Sequence, residues 1–364
     1  METSEEHMKL GIVGLPQSGK TTIFNALTRG TQPTGTVTGK IEVHEAVVDV
    51  PDERVDKLAE MFNPKKTIYA KVTYDDISGL DGSGKSGISG ELLNKLAQMD
   101  GLIHVVRCFT DENVAHPAGS VDPVRDIASM ESDFIINDMI SVERRLERLN
   151  DERRKGGGRD KAVIDREIEL FNRMHECLGE VKPLRSLGLS DEEKHSLTGF
   201  GMLSLKPILI LLNLDETQDV PQIPDQGPET MVSSIRGKIE MEIAQLPEED
   251  AEMFMEEYGI TELALNHIIK VSYDLLDQQS FFTAGADECR AWTTSRHATA
   301  PEAAGVIHTD LQKGFIRAEV VAYDDLMELG SMNEVKAKGK HRLEGKDYLV
   351  KDGDILNIRF NVSK

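Results

Sequence analysis

A short, mostly apolar strand, Lys9 to Val13, leads into Gly14-Leu15-Pro16-Gln17-Ser18-Gly19-Lys20-Thr21, and a helix-like run from Thr22 to Thr28 follows. The octapeptide fits G-x-x-x-x-G-K-[ST], whose glycines let backbone N–H groups curl around phosphate oxygens. Lys20 would reach the β- and γ-phosphates of a nucleotide, and the Thr21 hydroxyl would ligate Mg²⁺. The positive N-terminal end of the helix would face the same phosphates. The alternative is a glycine-rich surface turn. The predicted contacts of this phosphate loop come from Gly14, Gln17, Ser18, Gly19, Lys20, Thr21 and Thr22.

The same pattern occurs a second time, at residues 79–86. There it is followed by Gly87-Ile88-Ser89-Gly90, which cannot start a regular helix at once, so we expect a mobile glycine-rich loop. The segment Asp76-Ile77-Ser78-Gly79 accounts for the repetition, because it matches the D-x-x-G of nucleotide switches. Asp76 would bind Mg²⁺ through water, and the N–H of Gly79 would sense the γ-phosphate. The alternative is a strand-end acid without a ligand.

A second predicted contact with the nucleotide follows the apolar strand Ile208 to Leu212, at Asn213-Leu214-Asp215-Glu216. A Ras-like fold carries N-K-x-D for the guanine base at this place. Here Leu214 replaces the Lys that stacks on the base, and Glu216 replaces the Asp that accepts two guanine N–H bonds. The extra methylene moves the carboxylate, so we expect weakened selectivity for guanine. An acidic strand-end loop without a ligand is the alternative.

The pattern along the chain predicts a parallel α/β sheet with an insertion and a C-terminal module. Ile135, Met139, Val142, Leu146 and Leu149 form a heptad seam, Gly156-Gly157-Gly158 interrupt it, and Ile164, Ile168, Phe171 and Leu178 form a second seam. We therefore expect a nucleotide-binding domain at residues 8–129 and 201–277, an inserted helical hairpin at 130–200, and a small α+β domain at 278–364.

Composition narrows the class of protein. The 364 residues carry a net charge of −22, which disfavours a protein that coats nucleic acid over its whole surface. The three cysteines lack metal-ligand spacing, and the acidic first residues are not a secretory signal pattern, so we expect a cytoplasmic protein without disulfides. Basic residues nevertheless cluster on the hairpin, either as a solvated face paired with Glu143 and Glu147 or as a partner-binding edge. They are Arg144, Arg145, Arg148, Arg153, Arg154, Lys155, Arg159 and Lys161.

Taken together, these residues resemble the YchF-type GTPases, also called Obg-like ATPases, over nearly the whole chain. The most specific parts of the resemblance are Asp76 to Leu80, His104 to Phe109, Lys206-Pro207 with Asn213 to Glu216, Phe281 to Gly285, Arg290 to Trp292, and Ala303 to Asp310. The resemblance implies a P-loop NTPase fold with a Ras-like, Obg-type G domain, an inserted coiled-coil hairpin and a C-terminal β-grasp TGS domain.

The same resemblance implies Mg²⁺-dependent use of ATP, often in preference to GTP, and association with the ribosome or ribosomal RNA. Asn213 and Glu216 match the family's N-x-x-E base motif, and His116 matches a His proposed to act in catalysis. Leu80 stands where many Ras-like enzymes hold a water-orienting Gln, and an aliphatic side chain cannot position water. We expect a monomer that binds neither membrane nor specific DNA sequences.

The chain also departs from the family pattern. Gln17-Ser18 replace Asn-Val in the phosphate loop, and Lys40 falls where the first switch carries a Thr, for which Thr36 or Thr38 would have to substitute. Arg236-Gly237 replace Ser-Ala before Lys238, although the N–H of Gly237 could still reach the base.

These observations leave more than one function open. The first is a nucleotide-hydrolysing switch that engages the ribosome. The second is a non-hydrolysing module that senses ATP or GTP. A kinase is a weaker third interpretation, because no acceptor-binding site is evident.

Overall fold

The computed structural model describes residues 8–33, 42–78, 90–156, 158–257, 260 and 263–361. The strands are β1 (Met8–Val13), β2 (Glu42–Asp49), β3 (Lys66–Ile68), β4 (Lys71–Ser78), β5 (Gly101–Arg107), β6 (Ile208–Asn213), β7 (Thr230–Ile235), β8 (Gln278–Ala284), β9 (Glu288–Ser295), β10 (Phe315–Ala322), β11 (Arg342–Glu344) and β12 (Asp354–Phe360). The helices are α1 (Lys20–Thr28), α2 (Glu53–Phe62), α3 (Gly90–Ala97), α4 (Pro123–Lys155), α5 (Lys161–Gly179), α6 (Asp191–Leu197), α7 (Gly237–Ala244), α8 (Glu248–Glu257), α9 (Ala264–Leu275), α10 (Ala300–Ile307), α11 (Thr309–Lys313), α12 (Tyr323–Leu329) and α13 (Met332–Ala337).

The first sheet has the strand order β2-β4-β1-β5-β6-β7 and confirms the predicted α/β class. Its pairs β1–β5, β5–β6 and β6–β7 are parallel. Every residue of β5 and β6 is buried, as expected for strands that are covered on both faces. Because carboxyl ends of parallel strands meet at one edge, the segments that follow β1, β5 and β6 lie together there.

The inserted helices form the predicted hairpin, although the first arm begins earlier than residue 130. Helix α4 starts at Pro123 because the Asp122 carboxylate accepts a hydrogen bond from the Arg125 N–H at 3.1 Å. It ends at Gly156, whose φ of +69° is the left-handed conformation that a helix C-terminus favours. The two seams meet in one apolar cluster of the hairpin, with Val142, Leu149 and Phe171 at its centre.

A second sheet has the order β11-β10-β12-β8-β9-β3. Strands β8, β9, β10, β11 and β12 belong to the predicted C-terminal region, and β10 pairs antiparallel with both β11 and β12. The edge strand β3 comes from residues 66–68 and pairs parallel with β9. The described chain divides into two compact units, one of residues 8–46 and 73–268 and the other of residues 47–72 and 269–361. Among the described helices, none has the length and hydropathy that crossing a membrane requires.

Candidate nucleotide-binding site

The phosphate loop lies between β1 and α1 and has the backbone of an anion cradle. Gly14 has φ +154°, and an added Cβ would stand 2.4 Å from the carbonyl oxygen of Val105. Gly19 has φ +97° and directly precedes α1. Gln17, with φ +62°, adopts a left-handed conformation that costs a side-chain-bearing residue energy. The sequence motif and the local backbone therefore agree.

Lys20 is buried beneath this loop and is 8% exposed. Its Nζ donates hydrogen bonds to the carbonyl oxygens of Gly14 and Leu15, both at 3.0 Å. Burial lowers the pKa of Lys20 to about 8, and the nearby charge of Asp76 opposes that shift. The lysine is thus a desolvated cation held at the loop by weak acceptors, and phosphate oxygens would be stronger partners.

Thr21 and Asp76 meet at the end of the loop. The Thr21 Oγ1 hydroxyl donates a hydrogen bond of 2.8 Å to Asp76 Oδ2, and Asp76 is fully buried. A hydroxyl and a carboxylate are hard oxygen donors of the kind that Mg²⁺ prefers, so the pair fits this ion. Elsewhere in the described chain, no cluster of three or more His, Cys, Asp or Glu residues could hold a metal.

Several predicted elements lie outside the described residues. They are Gly79, Leu80, the second glycine-rich match at 79–86, and the first-switch candidates Thr36, Thr38 and Lys40.

Asn213, at the end of β6, bonds both to the phosphate loop and to the start of α7. Its Nδ2 donates a hydrogen bond of 3.0 Å to the carbonyl oxygen of Ser18. Its Oδ1 accepts a hydrogen bond of 3.2 Å from the N–H of Gly237. Both functional ends of the amide are therefore engaged with main-chain atoms. In this state the Gly237 N–H serves Asn213 and is not presented to a base.

Leu214, which directly follows β6, is a core residue. It is 4% exposed and packs in an apolar cluster with Val106, Ile127 and Leu212. In this structure residue 214 turns into the core, and the contact of Leu214 with a nucleotide base stays a prediction.

Glu216 is exposed, as a base-recognition residue requires. One carboxylate oxygen, Oε1, lies 3.5 Å from Nζ of Lys238. Its main-chain carbonyl accepts a hydrogen bond of 2.7 Å from Nε of Arg236. The predicted carboxylate is therefore available at the edge of the site and carries a neighbouring positive charge.

His116 contacts both its own loop and helix α4. Its Nδ1 accepts a hydrogen bond of 3.1 Å from the Ala118 N–H, which leaves the proton of a neutral ring on Nε2. Nε2 lies 3.0 Å from Asp126 Oδ2, and both side chains are 4% exposed. The ring thus lies against α4, with Nδ1 accepting a hydrogen bond and Nε2 close to the Asp126 carboxylate.

Sequence reasoning missed the residues that order the neighbouring loops. Arg107, 3% exposed at the end of β5, donates hydrogen bonds to the carbonyls of Phe109 and Val114 at 3.2 and 2.9 Å. Gln218 Nε2 donates to the carbonyl of Cys108 at 2.9 Å. A charged residue that ends an otherwise apolar strand was the signal for Arg107. Gln218 gave no comparable signal.

Known proteins resemble this chain over almost its full length. A family model named YchF-GTPase_C, described as a protein of unknown function (DUF933), matches residues 278–361. The ribosome-binding ATPase YchF of Bacillus subtilis is 40% identical over 365 residues, which cover 97% of this chain and 99% of that protein. Obg-like ATPase 1 of Oryza sativa is 36% identical, covering 98% of this chain and 93% of that protein. This chain belongs to the YchF/Obg-like ATPase family.

A solved structure supports the YchF-type architecture in three dimensions. The Schizosaccharomyces pombe YchF GTPase has a TM-score of 0.82 and 32% sequence identity, covering 97% of this chain and 98% of that chain. The P-loop α/β fold predicted for this YchF-family chain is therefore confirmed. Two of the differences between this chain and the family's sequence pattern fall in described parts of the site. Gln17-Ser18 lie in the phosphate loop, and Arg236-Gly237 lie at the start of α7.

Proposed function

We propose that this chain is a ribosome-associated nucleoside triphosphatase that hydrolyses ATP, and GTP less effectively, to the diphosphate and phosphate. The observation that carries the proposal is the hydrogen bond between Thr21 and the buried Asp76, beside Lys20, in a chain of the YchF family. A relative with 40% identity over 97% of this chain is named a ribosome-binding ATPase. A Thr hydroxyl, a strand-end Asp and a loop Lys are the parts that position and neutralise a triphosphate.

Thr21 and Asp76 would hold the Mg²⁺ of a bound nucleotide. When bound, the ion would offset negative charge on the β- and γ-phosphates. Lys20 contributes a second positive charge, and its burial makes that charge more effective than in water. Gly14 and Gly19 bring backbone N–H groups close to the phosphate oxygens, while Gln17, Ser18 and Thr22 complete the proposed contacts. Gly79 stays a proposed γ-phosphate sensor.

Asn213 and Glu216 support use of ATP. The Glu216 carboxylate accepts hydrogen bonds, so it can pair with the exocyclic amine of adenine. The side chain of Glu216 is one methylene longer than that of Asp. Its carboxylate is therefore displaced from the position in which an Asp accepts the two guanine N–H bonds. Glu216→Asp should therefore increase GTP affinity relative to ATP. Calorimetric titration of both nucleotides measures this, and a wild-type preference for GTP above about a hundredfold, roughly 2.7 kcal/mol, contradicts the ATP proposal.

His116 is the proposed group that orients the attacking water. The water oxygen forms a bond to the γ-phosphorus, and a proton of the water passes to an oxygen of the phosphate that is released. The bond to the bridging oxygen breaks, and that oxygen keeps the electron pair on the diphosphate. In this structure Nε2 of His116 lies 3.0 Å from the Asp126 carboxylate and Nδ1 accepts a hydrogen bond, so the residue must leave Asp126 to act. We therefore propose slow unaided turnover that a partner-induced rearrangement of the 109–120 loop accelerates.

The position of His116 beside Asp126 favours a second candidate function, a non-hydrolysing ATP sensor. If His116 stays on Asp126, the chain binds nucleotide and lacks a group that positions water.

Ribosome association would use exposed cations of the hairpin. Most of its basic residues are paired within the hairpin: Arg145 and Arg159 contact Glu167, Arg153 contacts Asp165, and Arg154 contacts Asp151. Within the part of the chain that the structure describes, Arg144, Arg148 and Lys161 have no ion pair, so they are the better candidates for phosphate contacts.

The remaining assignments are also proposals. We propose a TGS-like, β-grasp domain at 278–364, an inserted domain at 130–200, and a nucleotide-binding domain from 8–129 and 201–277. We further propose a cytoplasmic monomer that reads no DNA sequence, since a net charge of −22 disfavours binding to DNA.

Single-turnover hydrolysis of γ-labelled ATP, with and without ribosomes, tests the proposal. Wild type should release phosphate, and His116→Ala should lower the rate about tenfold or more while nucleotide affinity changes less than about threefold. His175→Ala, at an exposed hairpin His, is the matched control. Nucleotide binding without phosphate release under both conditions would refute hydrolysis and leave the sensor.

A further inference from the structure

Arg236 connects the start of α7 to the loop that carries Glu216. Its Nε donates a 2.7 Å hydrogen bond to the carbonyl oxygen of Glu216, and its Nη2 donates to the carbonyl oxygen of Gln218 at 3.4 Å. A planar guanidinium can contact two acceptors at once, which a short hydroxyl side chain at the same position cannot. The side chain thus joins two elements that only tertiary structure brings together.

The same loop is fixed from its other side by Gln218. The side-chain Oε1 of Gln218 accepts a hydrogen bond of 3.1 Å from the Asp215 N–H. Its Nε2 donates a hydrogen bond of 2.9 Å to the carbonyl oxygen of Cys108, which directly follows β5. The N–H of Leu214 bonds to the carbonyl oxygen of Ile235 at 2.8 Å. The main chain from 214 to 218 is therefore held by its own sheet on one side and by Arg236 on the other.

Glu216 extends from this braced main chain. Its side chain is 49% exposed, and Nζ of Lys238 lies 3.5 Å from Oε1. When a carboxylate pairs with a ligand, it loses less conformational freedom if the main chain that carries it is already held by hydrogen bonds. Arg236 and Gln218 bond to main-chain atoms, so they leave the Glu216 carboxylate itself available.

We infer that Arg236 is a positioning residue for nucleotide-base recognition, acting on Glu216 through the main-chain carbonyls of Glu216 and Gln218. The inference rests on the proposed nucleotide-binding function and adds a determinant of base recognition to it. Gln218 supports the same loop from the side of β5. Loss of the Arg236 or the Gln218 side chain should therefore weaken contacts with the base and leave contacts with the phosphates unchanged.

Calorimetric titration of three ligands in the presence of Mg²⁺ tests this inference: ATP, GTP and inorganic tripolyphosphate. Arg236→Ser should weaken ATP binding about tenfold through lost preorganisation and leave tripolyphosphate affinity within about twofold. Gln218→Ala should change ATP affinity in the same direction. Arg236→Lys keeps the charge and one donor group, so it should recover part of the loss. Arg173→Ser, an exposed arginine of α5 paired with Glu193, is the matched control.

Two results would overturn the inference. ATP affinity in Arg236→Ser and Gln218→Ala equal to wild type would show that the braces do not matter. An equal loss for ATP and tripolyphosphate would show that Arg236 acts as a general charge. Failure of the wild-type chain to bind either nucleotide would instead refute the proposed function, and this inference with it. Thermal unfolding of each variant, expected to match wild type, separates positioning from misfolding.

Discussion

Replacing the buried lysine of the phosphate loop should stabilise the nucleotide-free protein while it removes nucleotide binding. Lys20 is 8% exposed, and its pKa falls from 10.5 to about 8 because burial disfavours the charged form. At neutral pH the folded chain therefore holds a charge that its surroundings solvate poorly. Lys20→Met keeps a side chain of similar length and removes that charge.

The size of the effect follows from the pKa shift. One pKa unit corresponds to about 1.4 kcal/mol, so a fall from 10.5 to about 8 costs the folded state roughly 3 kcal/mol at pH 7. The substitution also loses the hydrogen bonds to Gly14 and Leu15, worth about 1 kcal/mol each. We expect a net gain of about 1 kcal/mol in the free energy of unfolding.

The pH dependence of the free energy of unfolding separates the effect of Lys20 ionisation from the effect of its lost hydrogen bonds. Between about pH 8 and 10.5 the unfolded chain keeps a proton that the folded chain has released, so wild-type stability rises with pH in that window. Integrated from pH 7 to pH 10, this rise is about 2.5 kcal/mol. Lys20→Met lacks the ionisable group, so its stability relative to wild type should fall by that amount.

Urea denaturation of the nucleotide-free proteins, followed by circular dichroism at several pH values, measures both effects. Titration with ATP at pH 7 should show at least a tenfold loss of affinity in the variant, since a charge-assisted contact is worth about 1.5–3 kcal/mol. A variant that is less stable than wild type at pH 7, with a difference that does not change up to pH 10, would refute this account of Lys20.

Three further outcomes follow from the site and the hairpin. Gln17→Asn should raise the free energy of unfolding by about 0.5–1 kcal/mol, because Asn tolerates a φ of +62° better than Gln; unchanged urea midpoints would contradict this. Gly237→Ala should lower both stability, by about 1–3 kcal/mol, and ATP affinity, since the new Cβ would stand 2.6 Å from Ile23 Cδ1; Gly199→Ala, which meets nothing within 4 Å, is the control. Reversing Arg144 and Arg148 to Glu should weaken salt-sensitive co-sedimentation with ribosomes, whereas Lys182→Glu, which carries the same charge change per residue at an exposed position, should not.

The parts of the fold that depend on local pattern were predictable from the sequence. The phosphate loop is contiguous, and its glycines and lysine have fixed spacing, so its position between β1 and α1 followed directly. The hairpin seams were predictable because the helical period places Val142 and Leu149 on one face. The start of α4 at Pro123 was missed, because the heptad pattern begins after the capped first turns.

Features that depend on long-range pairing were not predictable in the same way. Strand β3 has three residues, of which Lys66 and Thr67 are exposed, so no hydrophobic period marks it as the edge of the second sheet. Leu214 was assigned by its position in a four-residue motif, but the direction of its side chain depends on the apolar cluster beneath β6. Likewise, the contact between His116 and Asp126 joins a loop to a helix and leaves no sequence pattern.

The structure also explains which positions of the site can vary. Asn213 bonds to the carbonyl of Ser18 and to the N–H of Gly237, and both are main-chain groups. The side chain at position 18 can therefore change from Val to Ser without loss of that link. Glycine, by contrast, is required at 19, because its φ is +97° and an added Cβ would lie 2.2 Å from Asn213 Nδ2. Substitution is thus tolerated at position 18, where Asn213 contacts only the main-chain carbonyl, and excluded at position 19, where Asn213 fills the space that a side chain would need. The loop can therefore vary in sequence at position 18 and keep the geometry of a phosphate site.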